Sequence, residues 1–384
     1  MDHGQRGLRA GNKLKPARID TGSGETISQP PPPGIIARSA PEGDRGTVPR
    51  GGERDAQGRA AETRHEHLAG RPLSDPALAH ELDERFSQAE RGHGTRTLTA
   101  RWERAMVRRR VAASEHLDEL DGLPVFWRHA DAPGGASVVP ALYLHGVPTS
   151  SDDWEPFLAA HGGLAPDLPG FGRSGKPAHF SYGIEGYADW LEAFLPHAGV
   201  EGELDLVVHD WGAVGLAFAQ RHPERIRRLV ILNAVPFLEG YRWHWIARVW
   251  RRRVVGELAM GAMSSWALGR LSRAARPDGE PLPAAMLERV WSQFDYGTQR
   301  AILRLYRSAP EHHLERAGKR LCDLRGPALV AWGARDPYID PAFAERYGAR
   351  LPQATVELLP DAGHWPWLDR PDLVERVGAF LRAP

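Results

Sequence analysis

An apolar run, Leu204-Asp205-Leu206-Val207-Val208, leads into His209-Asp210-Trp211-Gly212-Ala213, so a buried strand passes through a carboxylate directly into a glycine-started helix. A turn this sharp pushes one side chain into an exposed, strained position, and the small residues after it let the helix approach closely. The side chain so presented is Asp210. Unlike a serine, a carboxylate is already anionic at neutral pH and attacks without a base. It is weak toward carbonyls but useful toward sp3 carbon bearing a leaving group. Attack leaves an ester on Asp210, and its release needs a water activated by a base at the same edge of the fold. Gly333-Ala334-Arg335-Asp336-Pro337 and Asp361-Ala362-Gly363-His364 each follow an apolar run and supply an acid and a histidine in the order nucleophile, acid, base. Asp340 competes with Asp336 but lies four residues past the strand-end loop, so Asp336 is preferred. Upstream, Leu144-His145-Gly146-Val147-Pro148 ends an early strand, and the backbone N–H of Val147 is expected to join that of Trp211 in holding an oxyanion.

Positioning these groups takes a sheet whose strands all end at one edge. Short apolar runs at Leu123 to His129, Ala141 to His145, Leu164 to Asp167, Leu204 to His209, Ile226 to Asn233, Ala328 to Gly333 and Val356 to Leu359 read as strands. Helical periods at about 152 to 160, 184 to 197, 212 to 221, 341 to 350 and 371 to 382 alternate with them. The alternation predicts an α/β fold, mostly parallel, with helices on both faces. Residues 235 to 320 interrupt it: they show no strand pattern and carry five of the chain's 13 Trp, which predicts an inserted helical cap. The core then falls into two parts, 96 to 234 and 321 to 384. Residues 1 to 60 hold 11 Gly, 7 Pro and 17 charged residues and no aromatic, and the first aromatic is Phe86. Such composition buries too little apolar surface to offset its ordering entropy, so residues 1 to 95 are expected to be a disordered tail.

Composition excludes several roles. Basic and acidic residues number 49 each, and a net charge of zero gives no long-range field to collect nucleic acid or a membrane surface. The one cysteine, Cys322, excludes an intramolecular disulfide and a cysteine-rich zinc module and fits a reducing cytoplasm. The basic opening MDHGQRGLRAGNKLK lacks the apolar core of a secretory signal. His145 and His209 are read as structural, bonding loops around the site, since no carboxylate cluster accompanies them to make a metal centre. Asp167-Leu168-Pro169-Gly170-Phe171-Gly172-Arg173-Ser174 is read as a glycine turn rather than a phosphate cradle, because no Lys-Ser/Thr follows in a Walker-type frame. No cofactor is expected. The partners expected are a small apolar substrate and water, and nothing fixes the oligomeric state.

Together, HGVP, DLPGFGRS, VHDWGA, GARDP and DAGHW resemble the α/β-hydrolase superfamily over residues 115 to 384, within it the branch with an Asp nucleophile, the epoxide hydrolases and haloalkane dehalogenases. The resemblance implies Asp210 as nucleophile, His364 as the water-activating base, Asp336 as its orienter, and Val147 and Trp211 as oxyanion donors. The two branches differ in what receives the leaving group. A developing alkoxide needs a proton donor, in epoxide hydrolases a pair of cap Tyr; a halide needs only N–H donors, two Trp indoles or a Trp and an Asn. Val147 stands where one dehalogenase pattern has Asn, and Asn233 stands at the strand end where that group keeps a carboxylate. Leu305-Tyr306-Arg307 resembles the epoxide-hydrolase segment carrying one ring-opening Tyr, with Tyr241 or Tyr296 as its partner. The other dehalogenase arrangement, Trp211 plus one of Trp243, Trp245 and Trp291, remains open, whereas Trp211 replaces the Arg of fluoroacetate-type enzymes. Epoxide opening therefore leads, dehalogenation follows, and a ligand-binding protein without turnover is the reading from a different class.

Overall fold

The computed structural model describes residues 113–133 and 139–383, so the expected tail at residues 1 to 95 lies outside the described residues. The strands are β1 (Ser114–Leu120), β2 (Leu123–Ala130), β3 (Ala141–Leu144), β4 (Gly163–Pro166), β5 (Leu204–Asp210), β6 (Ile226–Ala234), β7 (Ala328–Gly333) and β8 (Ala354–Leu359). They form one eight-stranded sheet in the order β1-β2-β4-β3-β5-β6-β7-β8. β1 pairs antiparallel with β2 and β2 with β4, while every other pairing is parallel.

β5 lies in the middle of the sheet and is buried along its whole length. Its alternation divides the core: Leu204, Leu206 and Val208 join the cluster on one face, Val207 the cluster on the other. α2 (Ile184–His197) and α3 (Gly215–Arg221) cover the first face. α1 (Glu155–His161) and the C-terminal α12 (Asp372–Arg382) cover the second. There Trp154 stacks on Trp367 of α11 (Pro366–Asp369) at 5.4 Å between ring centroids; burying such a ring contributes on the order of 3 kcal/mol.

Among the described residues no strand interrupts the chain between β6 and β7. That interval holds α4 (Trp245–Arg251), α5 (Val255–Gly261), α6 (Ser265–Ser272), α7 (Ala284–Gln293), α8 (Tyr296–Ser308) and α9 (Glu311–Ala317), while α10 (Ala342–Arg350) returns to the sheet. α8 begins at a side-chain cap, where Asp295 accepts from the Thr298 N–H at 2.9 Å. No helix among the described residues is long and apolar enough to cross a membrane.

The strand β1 departs from the sequence reading. Its segment SEHLDEL faces solvent on both sides of an edge strand, so it lacks the period-two apolar pattern. The turn that makes it a strand is visible instead: Asp121-Gly122, at φ 52° and 77°, closes the hairpin onto β2.

Candidate active site

Asp210 ends β5 at φ 46° and ψ −120°, outside the comfortable range of a non-glycine residue, as a side chain forced out of a sharp strand-to-helix turn must be. Two glycines make room for it. A Cβ on Gly212 would stand 2.1 Å from the Leu144 carbonyl oxygen, and one on Gly146 would stand 2.6 Å from Asp210 Oδ2. Because β3 lies beside β5, the loop after β3 brings the Val147 N–H to donate to Asp210 Oδ2 at 2.8 Å. The Trp211 N–H also favours the charged form of this carboxylate. Burial raises the Asp210 pKa above its ordinary value, and His364 with these two N–H groups offsets only part of that rise.

Asp336 sits in the loop after β7 and is buried. Its Oδ1 accepts from the N–H groups of Tyr338 (2.8 Å) and Ile339 (3.2 Å). Its Oδ2 accepts from Asn233 Nδ2 (2.7 Å) and His364 Nδ1 (2.9 Å). The last bond places the His364 proton on Nδ1 and leaves Nε2 as the basic nitrogen, in the cavity wall that His364 and Asp210 share. Burial pushes the His364 pKa down, but the Asp336 carboxylate, by charge and hydrogen bond, and Asp210 outweigh it, so the net shift is upward. The His364 loop is latched to the cap: its N–H donates to the Ala275 carbonyl at 2.9 Å.

The two other histidines hold loops, in keeping with their structural reading. His145 Nδ1 donates to the Gly146 carbonyl at 2.8 Å and Nε2 accepts from the Leu168 N–H at 2.9 Å. His209 Nε2 donates to the His364 carbonyl at 2.8 Å. The DLPGFGRS loop winds round the Asp167 carboxylate, which takes the N–H groups of Ser151 and Arg173 and the Arg173 guanidinium. Its donors are thus committed within the protein, as a glycine turn requires and a phosphate cradle forbids.

Above the carboxylate lies a cavity enclosing, with its mouth, about 870 Å³ free of protein atoms. Its walls are mostly apolar side chains of the cap, among them Leu268, Leu271, Leu287, Val290 and Phe294, and Asp210 and His364 are among its polar groups. Tyr241 and Tyr306 both line it and flank Trp243 at 5.1 and 4.9 Å between centroids. The Tyr241 hydroxyl is buried without a protein partner. Burial and then the Asp210 charge raise both phenols well above their ordinary pKa, keeping them protonated. Tyr296, the third tyrosine expected as a candidate, is 77% exposed and does not line the cavity: it occupies the first turn of α8, beneath Arg300 and facing solvent.

Of the tryptophans considered for halide binding, Trp243 donates its indole N–H to the Ala309 carbonyl at 2.9 Å. Trp245 is 60% exposed, and neither it nor Trp291 lines the cavity. The Trp211 indole N–H is buried with no partner within hydrogen-bond geometry, its ring edge-on to Tyr306 at 5.2 Å.

Three roles escaped the sequence. Asn233, at φ 41° on the end of β6, pins Asp336 and accepts from the Gly333 N–H at 2.9 Å; its place beside the β7 loop was the available signal. Tyr338 packs edge-on to His364 at 5.0 Å. His244 lines the cavity, and burial first, then His364, lowers its pKa to about 4, so it is neutral there. Nothing in the sequence around it marks it.

A family profile described as alpha/beta hydrolase fold matches residues 140–371. Similar sequences include a cis-3-alkyl-4-alkyloxetan-2-one decarboxylase of Xanthomonas campestris pv. campestris, 29% identical over 283 residues, covering 65% of this chain and 90% of that protein. A haloalkane dehalogenase of Mycolicibacterium paratuberculosis is 29% identical over 269 residues, covering 64% of this chain and 84% of its own length. Among solved structures, the epoxide hydrolase CorEH superimposes with a TM-score of 0.60 over 70% of this chain and 98% of that one; at 18% identity this speaks for the fold alone.

Proposed function

Given that the chain belongs to the α/β-hydrolase fold family, we propose that it opens a small apolar epoxide to a diol through a covalent alkyl ester on Asp210. The observation that carries this reading is the pair of protonated tyrosines, Tyr241 and Tyr306, in the cavity wall, where Trp243 has its indole N–H committed to a carbonyl and neither Trp245 nor Trp291 is part of the lining. Such a cavity suits an oxygen leaving group better than a halide.

The chemistry proceeds in two steps. Asp210, one oxygen held by the Val147 N–H, attacks a ring carbon with the other. The C–O bond breaks, its electron pair passes to the epoxide oxygen, and Tyr306 gives that oxygen a proton while Tyr241 donates a hydrogen bond. His364 Nε2 then takes a proton from water, and the hydroxide adds to the ester carbonyl. The Val147 and Trp211 N–H groups hold the oxyanion until the acyl C–O bond breaks; the proton of the added hydroxyl passes to the departing alkoxide, so the diol leaves and Asp210 is again a carboxylate. Asp336 carries the imidazolium charge meanwhile, and the proton returns to the tyrosinate.

A second reading draws on the oxetan-2-one decarboxylases, relatives in Xanthomonas and in Shewanella oneidensis. A four-membered oxygen ring bearing two alkyl chains suits the same tyrosines and the apolar walls, and its opening ends in carbon dioxide and an alkene. One assay separates the possibilities: purified protein with a styrene-oxide-like epoxide, a terminal bromoalkane and a dialkyl oxetanone. Diol is the expected product. Bromide alone transfers the site to dehalogenation, carbon dioxide alone to the lactone reading, and binding without any product to a receptor.

A further inference from the structure

The zero net charge of the chain hides a local asymmetry. Between residues 242 and 273 there are seven arginines and one acid, Glu257. Glu257 is taken by Arg307 at 2.6 Å. Arg242, Arg248, Arg252, Arg253 and Arg270 are exposed and carry no ion pair among the described residues. The same stretch also holds most of the large apolar side chains exposed among the described residues. Eight large apolar side chains are exposed among the described residues, and five lie here: Trp245, Val254, Val255, Leu258 (69%) and Trp266 (76%). Single exposed apolar residues need no explanation, but their concentration on three successive short helices does.

These helices have two apolar faces. Ile246 and Trp250 of α4 and Leu268 and Leu271 of α6 turn inward and line the cavity, whereas Trp245 and Trp266 of the same helices turn outward. Inward burial therefore accounts for one face only. Outward tryptophan and leucine interleaved with unpaired arginine is the chemistry of a surface that sits in the headgroup layer of an anionic membrane: the rings enter the acyl boundary and the guanidinium groups meet phosphate.

From this we infer that the outer face of α4 to α6 docks on an anionic phospholipid bilayer, holding the cavity of the cap against an apolar phase. The inference goes beyond the proposed reaction and stands whichever ring the site opens. The expectation that no membrane partner exists rests on net charge, and net charge averages away a field confined to one face.

The test is flotation of the full chain with vesicles of phosphatidylcholine alone or mixed with phosphatidylglycerol, at low and high salt. Binding is expected to the anionic vesicles and to weaken with salt. Replacing one arginine should weaken it about fivefold, so the double variant Arg252→Gln/Arg253→Gln should lose about 25-fold. Leu258→Ser/Trp266→Ser should lose binding even at low salt. These side chains touch neither Asp210 nor the cavity, so turnover of a water-soluble substrate should be unchanged, which shows that the variants fold. Absence of binding, equal binding to both vesicle types, or binding insensitive to either double variant overturns the inference. So does a concentration-dependent dimer that the Leu258→Ser/Trp266→Ser variant dissolves while vesicles leave the wild type in solution, since the face would then belong to a second copy.

Discussion

At the scale of single residues, the proposed reaction divides the labour between His364 and Asp210 by protonation. Asp210 attacks without a base, whereas ester cleavage needs the neutral imidazole. His364→Gln is therefore expected to lower turnover by about 10² or more while alkylation continues. Intact-protein mass spectrometry after mixing with substrate should find one adduct, on the peptide containing Asp210. A variant that binds substrate and stays unmodified would give His364 an earlier role. The net upward shift of His364 sets the pH dependence. Activity should be present at high pH and lost as pH falls through an apparent pKa above the ordinary 6.5 of histidine. In single-turnover experiments that limb belongs to ester hydrolysis, where Asp210 is alkylated and uncharged, so the upward shift there rests on the charge and hydrogen bond of Asp336. A hydrolysis limb below pH 6 would contradict the assignment.

At the scale of elements, the reaction type is written in the cap. Tyr306→Phe removes a hydroxyl from α8 and keeps the ring that packs on Trp211 and Trp243. It should lower epoxide turnover by about 10² to 10³ and leave any haloalkane turnover nearly unchanged, since a halide needs no proton. Equal small effects on both substrates would reduce Tyr306 to packing. The sequence foretold the core elements better than these cap contacts, for a physical reason. Strands β3 to β7 are buried almost throughout and read as apolar runs, and the ends of β3, β5 and β7, with the loop after the half-exposed β8, deliver Val147, Asp210, Asp336 and His364 to one edge by topology alone. Which cap residues reach that edge depends on how short helices pack. Tyr241 and Tyr296 are alike in sequence, yet one faces the cavity and the other faces solvent. Asn233 was legible as an absent acid but not as the amide that fixes Asp336, because its partner lies in the loop after a different strand.

At the scale of the molecule, every group of the site falls within residues 140 to 371, the span of the family match. A shortened chain beginning near residue 96 is thus expected to keep kcat/KM within about twofold, because a segment poor in aromatics and rich in chain breakers contributes little to a packed site. A large loss in a chain that still melts cooperatively would show that the N-terminal residues reach the cavity. The latch between the His364 N–H and the Ala275 carbonyl couples the two parts of the molecule differently. Asp369 strengthens it by accepting from the Gly363 N–H at 2.9 Å while pairing with Arg276 at 3.1 Å. The latch works as an interlock. A cap that lifted as one rigid lid would pull on the loop that aims the base, so a gaping enzyme is a disarmed one. In the proposed reaction, substrate that enters with the Ala275 bond intact leaves its ester under a base that remains cocked.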